Sequence, residues 1–147
     1  MKKLKENERG ASAVEFAIVL PLLVLILWGI IEFSILLYDK AMITNLSREA
    51  ARAAIVFGNR DLDQATLQAW VDSDPRVSGI LARCKDQLIS FKPGGGVQPP
   101  DIEVKEAIAG VGNTVTIDVT YYYHWLYFPN WFGATKELTA RTSMRRE

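Results

Sequence analysis

The sequence contains few of the residues on which enzymes and metal sites are built. Among its 147 residues there is one cysteine, Cys84, and one histidine, His124. A single cysteine excludes an internal disulfide, and we expect Cys84 to be a small packing residue. A single histidine excludes a zinc site based on a histidine pair, and no serine-centred nucleophile motif is present. We therefore predict that the chain is not an enzyme and that it binds no metal or cofactor.

An excess of charge is also absent. The chain carries 17 basic and 17 acidic residues, and no run of basic residues follows Tyr38 before the last residues of the chain. This balance excludes the basic surface that nucleic-acid binding requires. Charge is uneven only in residues 1–10, which contain four basic and two acidic residues and show no hydrophobic periodicity. We expect this segment to be a leader that is disordered on its own.

What the sequence does contain is one long apolar segment. Sixteen uncharged residues separate Glu15 from Glu32, and at about 1.5 Å per helical residue they span roughly 24 Å. With its apolar flanks, this segment predicts a transmembrane helix over residues 11–38. A core helix of a soluble domain would instead show a polar face. A cleaved signal peptide would have its small residues after the apolar part, whereas Gly10-Ala-Ser-Ala precedes it.

The charges beside this helix favour one orientation by a small margin. Four basic residues precede it, and three follow it closely, namely Lys40, Arg48 and Arg52. The positive-inside rule therefore favours a cytoplasmic N-terminus. A short tail inside the cell and a domain outside it is also the simpler topology. The residues from 39 to 147 suffice for one small domain with its own core.

Helical periodicity continues beyond the membrane segment. Over residues 39–57, apolar residues recur at the i, i+3, i+4, i+7 spacing of one helix face. Two short helices are predicted within residues 61–89, the first ended by Pro75 and the second built on the apolar series from Val77 to Leu88. Residues 92–100 contain three glycines and three prolines, which predicts a loop.

Beyond this loop, the hydrophobic period changes to two. Within residues 101–145 we predict about three antiparallel strands, the clearest of which alternates from Thr114 to Tyr123. The fold class is therefore α+β, with a long N-terminal helix packed on a small antiparallel sheet and two short helices. Such a sheet leaves one face wet and needs a cover on the other, for which the helix over residues 39–57 is the candidate.

Aromatic residues are concentrated between Tyr121 and Phe132. About half of them are expected in the core of the sheet. The others exceed what a small core can bury, so they form a candidate contact surface: Trp125, Tyr127, Trp131 and Phe132. Packing within the domain, contact with another subunit and adhesion to an external ligand all stay open for these side chains.

Glu15 interrupts the apolar pattern. A carboxylate near the centre of a bilayer costs about 2.5 to 3.5 kcal/mol, and less near the interface, so a compensating partner is expected. If the chain is cut between Gly10 and Ala11, the new amine of Ala11 can pair with Glu15, most usefully between neighbouring copies in staggered register. Alternatively, Glu15 and Glu32, about 26 Å apart along a helix, lie at the two headgroup levels of a plain single-pass anchor.

The residues at this boundary resemble a known family. The string Arg9-Gly10-Ala-Ser-Ala-Val-Glu15-Phe16, with Pro21 and the later string Ser47-Arg-Glu-Ala-Ala-Arg52, is similar to the TadE-like family of pilin-related proteins in bacterial tight-adherence pilus systems. The resemblance is specific over residues 9–58. The last residues, Met144-Arg-Arg-Glu147, also look family-like.

The resemblance implies a type IV pilin-like fold and a site of processing. Members of this family are similar to type IV prepilins, which a membrane prepilin peptidase cuts after a glycine positioned like Gly10. Glu15 would then act in processing and, with Pro21 and Glu32, in the assembly and register of the helix. Pro21 cannot donate a hydrogen bond to the carbonyl of residue 17. Phe16 stands where pilins of these systems often have tyrosine.

The resemblance also implies a function, a location and partners. The chain would be a minor pilin or pseudopilin, a single-pass protein of the bacterial inner membrane with its domain outside the cytoplasm. It would contact the lipid bilayer, the peptidase, other pilins or pseudopilins and pilus-assembly membrane proteins, and it could enter the extracellular pilus. Many relatives carry paired cysteines in the outer domain, a disulfide that the lone Cys84 rules out here. The alternative is an unprocessed, membrane-anchored extracytoplasmic binding or scaffold module.

Overall fold

A computed structural model describes residues 2–57, 64–90, 98–107, 114–126, 133 and 135–145. It contains three helices, α1 (Lys2–Phe57), α2 (Gln64–Ser73) and α3 (Pro75–Gln87), followed by three strands, β1 (Asp101–Ala107), β2 (Thr114–His124) and β3 (Thr135–Arg145). The predicted α+β fold, with one long helix, two short helices and three antiparallel strands, is confirmed. The chain divides into two compact units, Met1–Ser34 and Ile35–Glu147.

The first helix begins earlier than the sequence predicted. It starts at Lys2, so the expectation that residues 1–10 are disordered is wrong for residues 2–10. The reason is that lysine, glutamate, arginine and leucine are good helix formers. Extending an existing helix is also far cheaper than nucleating a new one. The helix continues without a break through Pro21.

The first unit exposes its apolar side chains. Large aliphatic and aromatic residues are exposed on all sides of the helix. Over Gly10–Val56, α1 is long and apolar enough to cross a membrane once, and its most apolar 18-residue window has no buried residue. A core helix of a soluble domain would bury that window, so its exposure is consistent with a single-pass membrane anchor.

The second unit has a core between α1 and the sheet. Ile43, Leu46, Ala50 and Ala54 of α1 are buried. The hydroxyl of Ser47 lies 2.7 Å from that of Thr142 on β3. The prediction that the helix over residues 39–57 covers one face of the sheet is therefore confirmed.

The two short helices occupy the region where they were predicted. Asp74 caps α3, because its carboxylate accepts a hydrogen bond from the backbone N–H of Arg76 at 2.7 Å. Pro75 follows as the first residue of α3, where its missing N–H does no harm. Val77, Cys84 and Leu88 are buried, which confirms Cys84 as a packing residue. The loop over residues 92–100 lies mostly outside the described residues.

The sheet has the order β1-β2-β3 with both pairs antiparallel. Its inner face is the predicted one, because alternate residues of β2 are buried: Val115, Ile117, Val119, Tyr121 and Tyr123. On the other face, however, Thr116 and Asp118 are also buried. Cross-strand partners from β3 cover them, since Thr116 shares a hydroxyl hydrogen bond with Ser143 and Asp118 binds Arg141 through both oxygens at 2.7 Å.

Candidate processing and assembly site

The residues predicted to be processed lie on one exposed stretch of α1. Gly10, Ala11, Glu15 and Phe16 are all exposed and helical. Ala11 and Glu15 are four residues apart, so their side chains share one face of the helix, one turn apart. A helix that began at Ala11 would have Glu15 near its N-terminus, where a carboxylate is favoured by the helix dipole.

Among the described residues, no packing contact requires glycine at position 10. A Cβ atom built on Gly10 meets no other atom within 4 Å. Glycine in the middle of a helix is less favourable than alanine by about 1 kcal/mol. The fold therefore gives no reason for this residue. Gly29, farther along the same helix, has the same open surroundings and serves as its natural control.

The two carboxylates of the apolar segment have different surroundings. Glu15 is exposed, whereas Glu32 has only 2% of its surface exposed. Of the two, Glu15 is the one open to a neighbouring helix. Pro21, the other predicted assembly residue, is also exposed, and the neighbouring Leu20 and Leu22 are exposed as well.

The predicted aromatic contact surface is described at one residue. Trp125 is half-buried and lies edge-on to Tyr123, with ring centroids 5.7 Å apart and planes at 84°. This arrangement is a favourable aromatic contact within the domain. Tyr127, Trp131 and Phe132 lie outside the described residues.

The domain contains a buried carboxylate that sequence reasoning did not single out. Asp39 is completely buried, and its Oδ1 accepts a hydrogen bond from the backbone N–H of Ile89 at 3.0 Å. Within the described structure, its Oδ2 has no hydrogen-bond partner. Burial raises the pKa of Asp39 to about 6, although the bond to Ile89 lowers it. A signal was present, because Asp39 precedes Ile43 and Leu46 at the spacing of the buried helix face.

Cys84 and Tyr121 share the surroundings of Asp39. Burial raises the pKa of the Cys84 thiol to about 11, and the charges of Asp39 and Glu49 raise it further. Burial likewise raises the pKa of Tyr121. A thiol with this pKa stays protonated and unreactive at neutral pH. Cys84 also lies at the wall of a groove of about 240 Å³ between α1 and α3.

The described residues contain no group of three or more His, Cys, Asp or Glu side chains that could hold a metal ion. Two aspartates near the junction of α2 and α3, Asp72 and Asp74, have separate partners. Gln68 donates to Asp72 at 2.9 Å, while Asp74 caps α3. These aspartates are explained by local structure.

Comparison with known proteins finds a family model that matches the N-terminal part of the chain. The model of the family described as TadE-like protein matches residues 10–52. The searches among curated proteins and solved structures give no match. The matched residues include Gly10, Glu15 and Pro21, together with the part of α1 that packs on the sheet. The chain therefore carries a TadE-like N-terminal segment, which confirms the predicted resemblance and associates the protein with tight-adherence pilus systems.

Proposed function

We propose that this protein is a minor pilin or pseudopilin that a prepilin peptidase cuts after Gly10. The observation that carries the proposal is the exposed segment from Gly10 to Phe16 at the head of an apolar helix, within the TadE-like match. The helix anchors the unprocessed chain in the inner membrane, with the N-terminus cytoplasmic and the domain outside. The proposed role is mechanical, in starting, capping or decorating a filament.

Assembly follows from the exposed apolar surface of the helix. A helix that is apolar all round is stable in lipid or against other apolar helices. Other pilins or pseudopilins and pilus-assembly membrane proteins are the proposed partners. Moving from lipid to a bundle of similar helices leaves apolar contacts nearly unchanged, so polar groups set the register.

Glu15 supplies that register in the proposed mechanism. Cleavage converts the peptide nitrogen of Ala11 into a cationic amine, and both this amine and the carboxylate are costly in lipid when alone. Pairing them between staggered copies offsets both costs. Pro21 leaves one carbonyl of α1 without its helical donor, which lets the helix adjust when it packs.

The peptidase step is tested with two matched glycine variants. Gly10→Val and Gly29→Val each add a side chain where the chain leaves open space. With the cognate peptidase present, we expect wild type and Gly29→Val to yield a mature chain that begins at Ala11. Gly10→Val should stay uncut. Intact mass and N-terminal sequencing of protein from the native membrane measure both results.

An uncut wild-type chain in the presence of the peptidase would overturn the pilin proposal. It would instead support the unprocessed anchor with an extracytoplasmic binding or scaffold module. Equal loss of cleavage in both glycine variants would show that the helix, and not the cleavage position, had been disturbed.

The proposed register is tested at Glu15. Glu15→Ala removes an exposed side chain from the first unit, so the melting of the domain should change little. Incorporation into filaments should fall by tenfold or so, as expected for the loss of roughly 1.4 kcal/mol. Glu15→Asp, which keeps the charge, is the matched variant and should retain part of the incorporation. Normal incorporation of Glu15→Ala would remove the pairing from the mechanism.

A further inference from the structure

The two edges of the sheet have different hydrogen-bond partners. Along β1, side-chain amides of α2 form hydrogen bonds with the strand backbone, as a neighbouring strand would. Gln68 donates to the carbonyl of Ile102 at 3.0 Å and accepts from the N–H of Val104 at 2.6 Å. Gln64 donates to the carbonyl of Val104 at 2.8 Å. These bonds occupy the β1 edge, which is a common protection against unwanted strand pairing.

The same bonds fix which backbone groups of β3 point away from the sheet. Ile102 and Val104 point outward to Gln68, so the alternate residues of β1 point to β2. The pairing of β2 with β1 and β3 then directs the backbone N–H and C=O groups of the odd-numbered β3 residues away from the sheet. The bond of the Lys40 ammonium to the carbonyl of Thr139 gives the same answer independently. The outward-pointing residues are Glu137, Thr139, Arg141, Ser143 and Arg145.

The β3 edge is long and has no neighbouring strand among the described residues. The strand has 11 residues and lies at the end of the sheet order. Lys40, reaching from α1, holds the Thr139 carbonyl near the middle of the edge. Beyond it, Ser143 and Arg145 direct their N–H and C=O groups outward. An edge of this length is a template for adding a further strand.

We propose that the β3 edge binds an extended segment of a different polypeptide with acidic side chains at alternate positions. The charge on β3 favours such a segment, because Lys136, Arg141 and Arg145 outnumber the single acid Glu137. Arg141 is already bound to Asp118, so Arg145 is the cation of the outer face that has no ionic partner among the described residues. The segment enters from the Arg145 end, because Lys40 occupies the Thr139 carbonyl.

A second copy of this chain fits the edge less well. Its β1 edge is occupied by α2, so β1 cannot pair with β3 of a neighbour. In the domain, α1 and β3 run in the same direction, since Lys40 contacts Thr139 and Ser47 contacts Thr142. Antiparallel pairing of two β3 strands would therefore reverse α1 between the copies. Two copies anchored in one membrane share the direction of α1.

The test uses the full-length protein in lipid nanodiscs and two capped, fluorescein-labelled peptides of about eight residues. In the acidic peptide, valine occupies every second position, and threonine or glutamate occupies the positions between. In the basic peptide, lysine replaces glutamate. Fluorescence anisotropy measures binding. We expect saturable binding of the acidic peptide and at least roughly tenfold weaker binding of the basic one, because charge complementarity contributes to recognition.

Two variants at one position isolate the backbone contact. Ser143→Pro and Ser143→Ala both lose the hydroxyl bond to Thr116. Only proline also removes the outward N–H, and at this position it leaves the β2–β3 bonds intact. The acidic peptide should bind Ser143→Ala within about threefold of wild type, whereas Ser143→Pro should bind at least about tenfold more weakly. Arg145→Glu, which keeps the backbone, should reverse the preference between the two peptides.

Three outcomes would overturn the proposal. One is the absence of saturable binding by either peptide. Another is equal binding of the acidic peptide to Ser143→Pro and Ser143→Ala when the two variants unfold at the same temperature. A third is a dimer of the wild-type protein that Ser143→Pro converts to monomer, because the edge would then belong to a second copy. If Ser143→Pro does not fold, Arg145→Glu decides, and an unchanged peptide preference rejects the proposal. The inference does not depend on cleavage after Gly10, and only the argument against a second copy rests on the proposed membrane anchor.

Discussion

Helix α1 carries apolar side chains along both halves, but different surroundings stabilise them. In the first unit the apolar residues are large and exposed, as at Ile30, of which 58% is accessible. In the second unit, the buried apolar residues of α1 include four small ones, because four of the five residues from Ala50 to Ala54 are buried alanines. Small side chains let the helix backbone approach the sheet closely, whereas large ones suit lipid or other helices.

The fold of this chain explains the residues of α1 in the second unit better than those in the first unit. Residues of α1 that cover the sheet have partners within the chain, such as Thr142 for Ser47. Complete burial of an aliphatic side chain contributes about 1.5 to 3 kcal/mol in water, and the exposed side chains of the first unit forgo part of it. That loss has to be offset by something outside the chain. The exposed carboxylate of Glu15 likewise has to be compensated from outside the chain, whereas the buried Asp39 accepts a hydrogen bond from the Ile89 N–H.

Shortening one isoleucine in each unit should show the difference between the units most clearly. Ile117 on β2 is fully buried, so Ile117→Ala should lower the free energy of unfolding of the domain by about 2 to 5 kcal/mol. Ile30→Ala removes the same atoms from an exposed site and should change domain stability by less than about 0.5 kcal/mol. Denaturant unfolding in detergent, followed by tryptophan fluorescence, measures both.

Similar destabilisation by the two substitutions would contradict the comparison. It would mean that the apolar residues of the first unit stabilise the domain after all. Retained membrane insertion of both variants is the control, because alanine keeps the segment apolar.

A smaller effect concerns Asp39, the buried counterpart of Glu15. Its pKa is raised from 3.8 to about 6 in the folded domain, so folding favours the protonated form. Its contribution is greatest below pH 3.8 and is lost as the pH rises through about 6. Relative to Asp39→Asn, wild type should therefore lose up to about 3 kcal/mol of stability between roughly pH 4 and pH 7. Denaturant unfolding of both proteins across this range measures the difference.

Cys84 and Tyr121 face Asp39 and titrate only at higher pH, so they do not disturb this range. A pH-independent difference between wild type and Asp39→Asn would show that the carboxyl group keeps its ordinary pKa on folding. The buried carboxylate would then be satisfied as fully as an exposed one.

Sequence periodicity predicted most of the fold because it reports local burial. The alternation on β2 and the apolar series from Val77 to Leu88 each follow from one face of one element being buried. These predictions were confirmed together with the cover of the sheet by α1. The early start of α1 at Lys2 was not predicted. Charge indicates disorder in this segment, but the same residues also have high helix propensity.

Contacts between distant elements were not predictable in the same way. The bonds of Gln68 to the β1 backbone depend on how α2 docks beside the strand, and nothing in the local pattern distinguishes this glutamine. For the candidate site, Gly10 and Glu15 were recognised because they depart from an apolar pattern. Asp39 makes a similar departure one residue after the predicted membrane segment, where a charge is unremarkable.

Substitution of Asp118 should have the smallest effect on stability, with a pH dependence of the opposite sign to that of Asp39. Asp118 is buried but bound by Arg141, whose side chain is 67% exposed. The hydrogen bonds from Arg141 lower the pKa of Asp118. Its contribution is therefore present above pH 3.8 and is lost as the pH falls below that value. Because the arginine is largely solvated, Asp118→Asn should lower stability at neutral pH by only about 0.2 to 1 kcal/mol.

This loss should shrink at about pH 3, because below pH 3.8 the unfolded chain binds a proton at Asp118 that the folded wild-type carboxylate resists. Urea unfolding of wild type and Asp118→Asn at both pH values measures the change. The stability of wild type relative to Asp118→Asn should thus increase as the pH rises, whereas its stability relative to Asp39→Asn should decrease. An equal difference at both pH values would assign the effect to packing and not to the ion pair. Opposite slopes in one domain would show that burial without an ionic partner, and not burial alone, raises the pKa of Asp39.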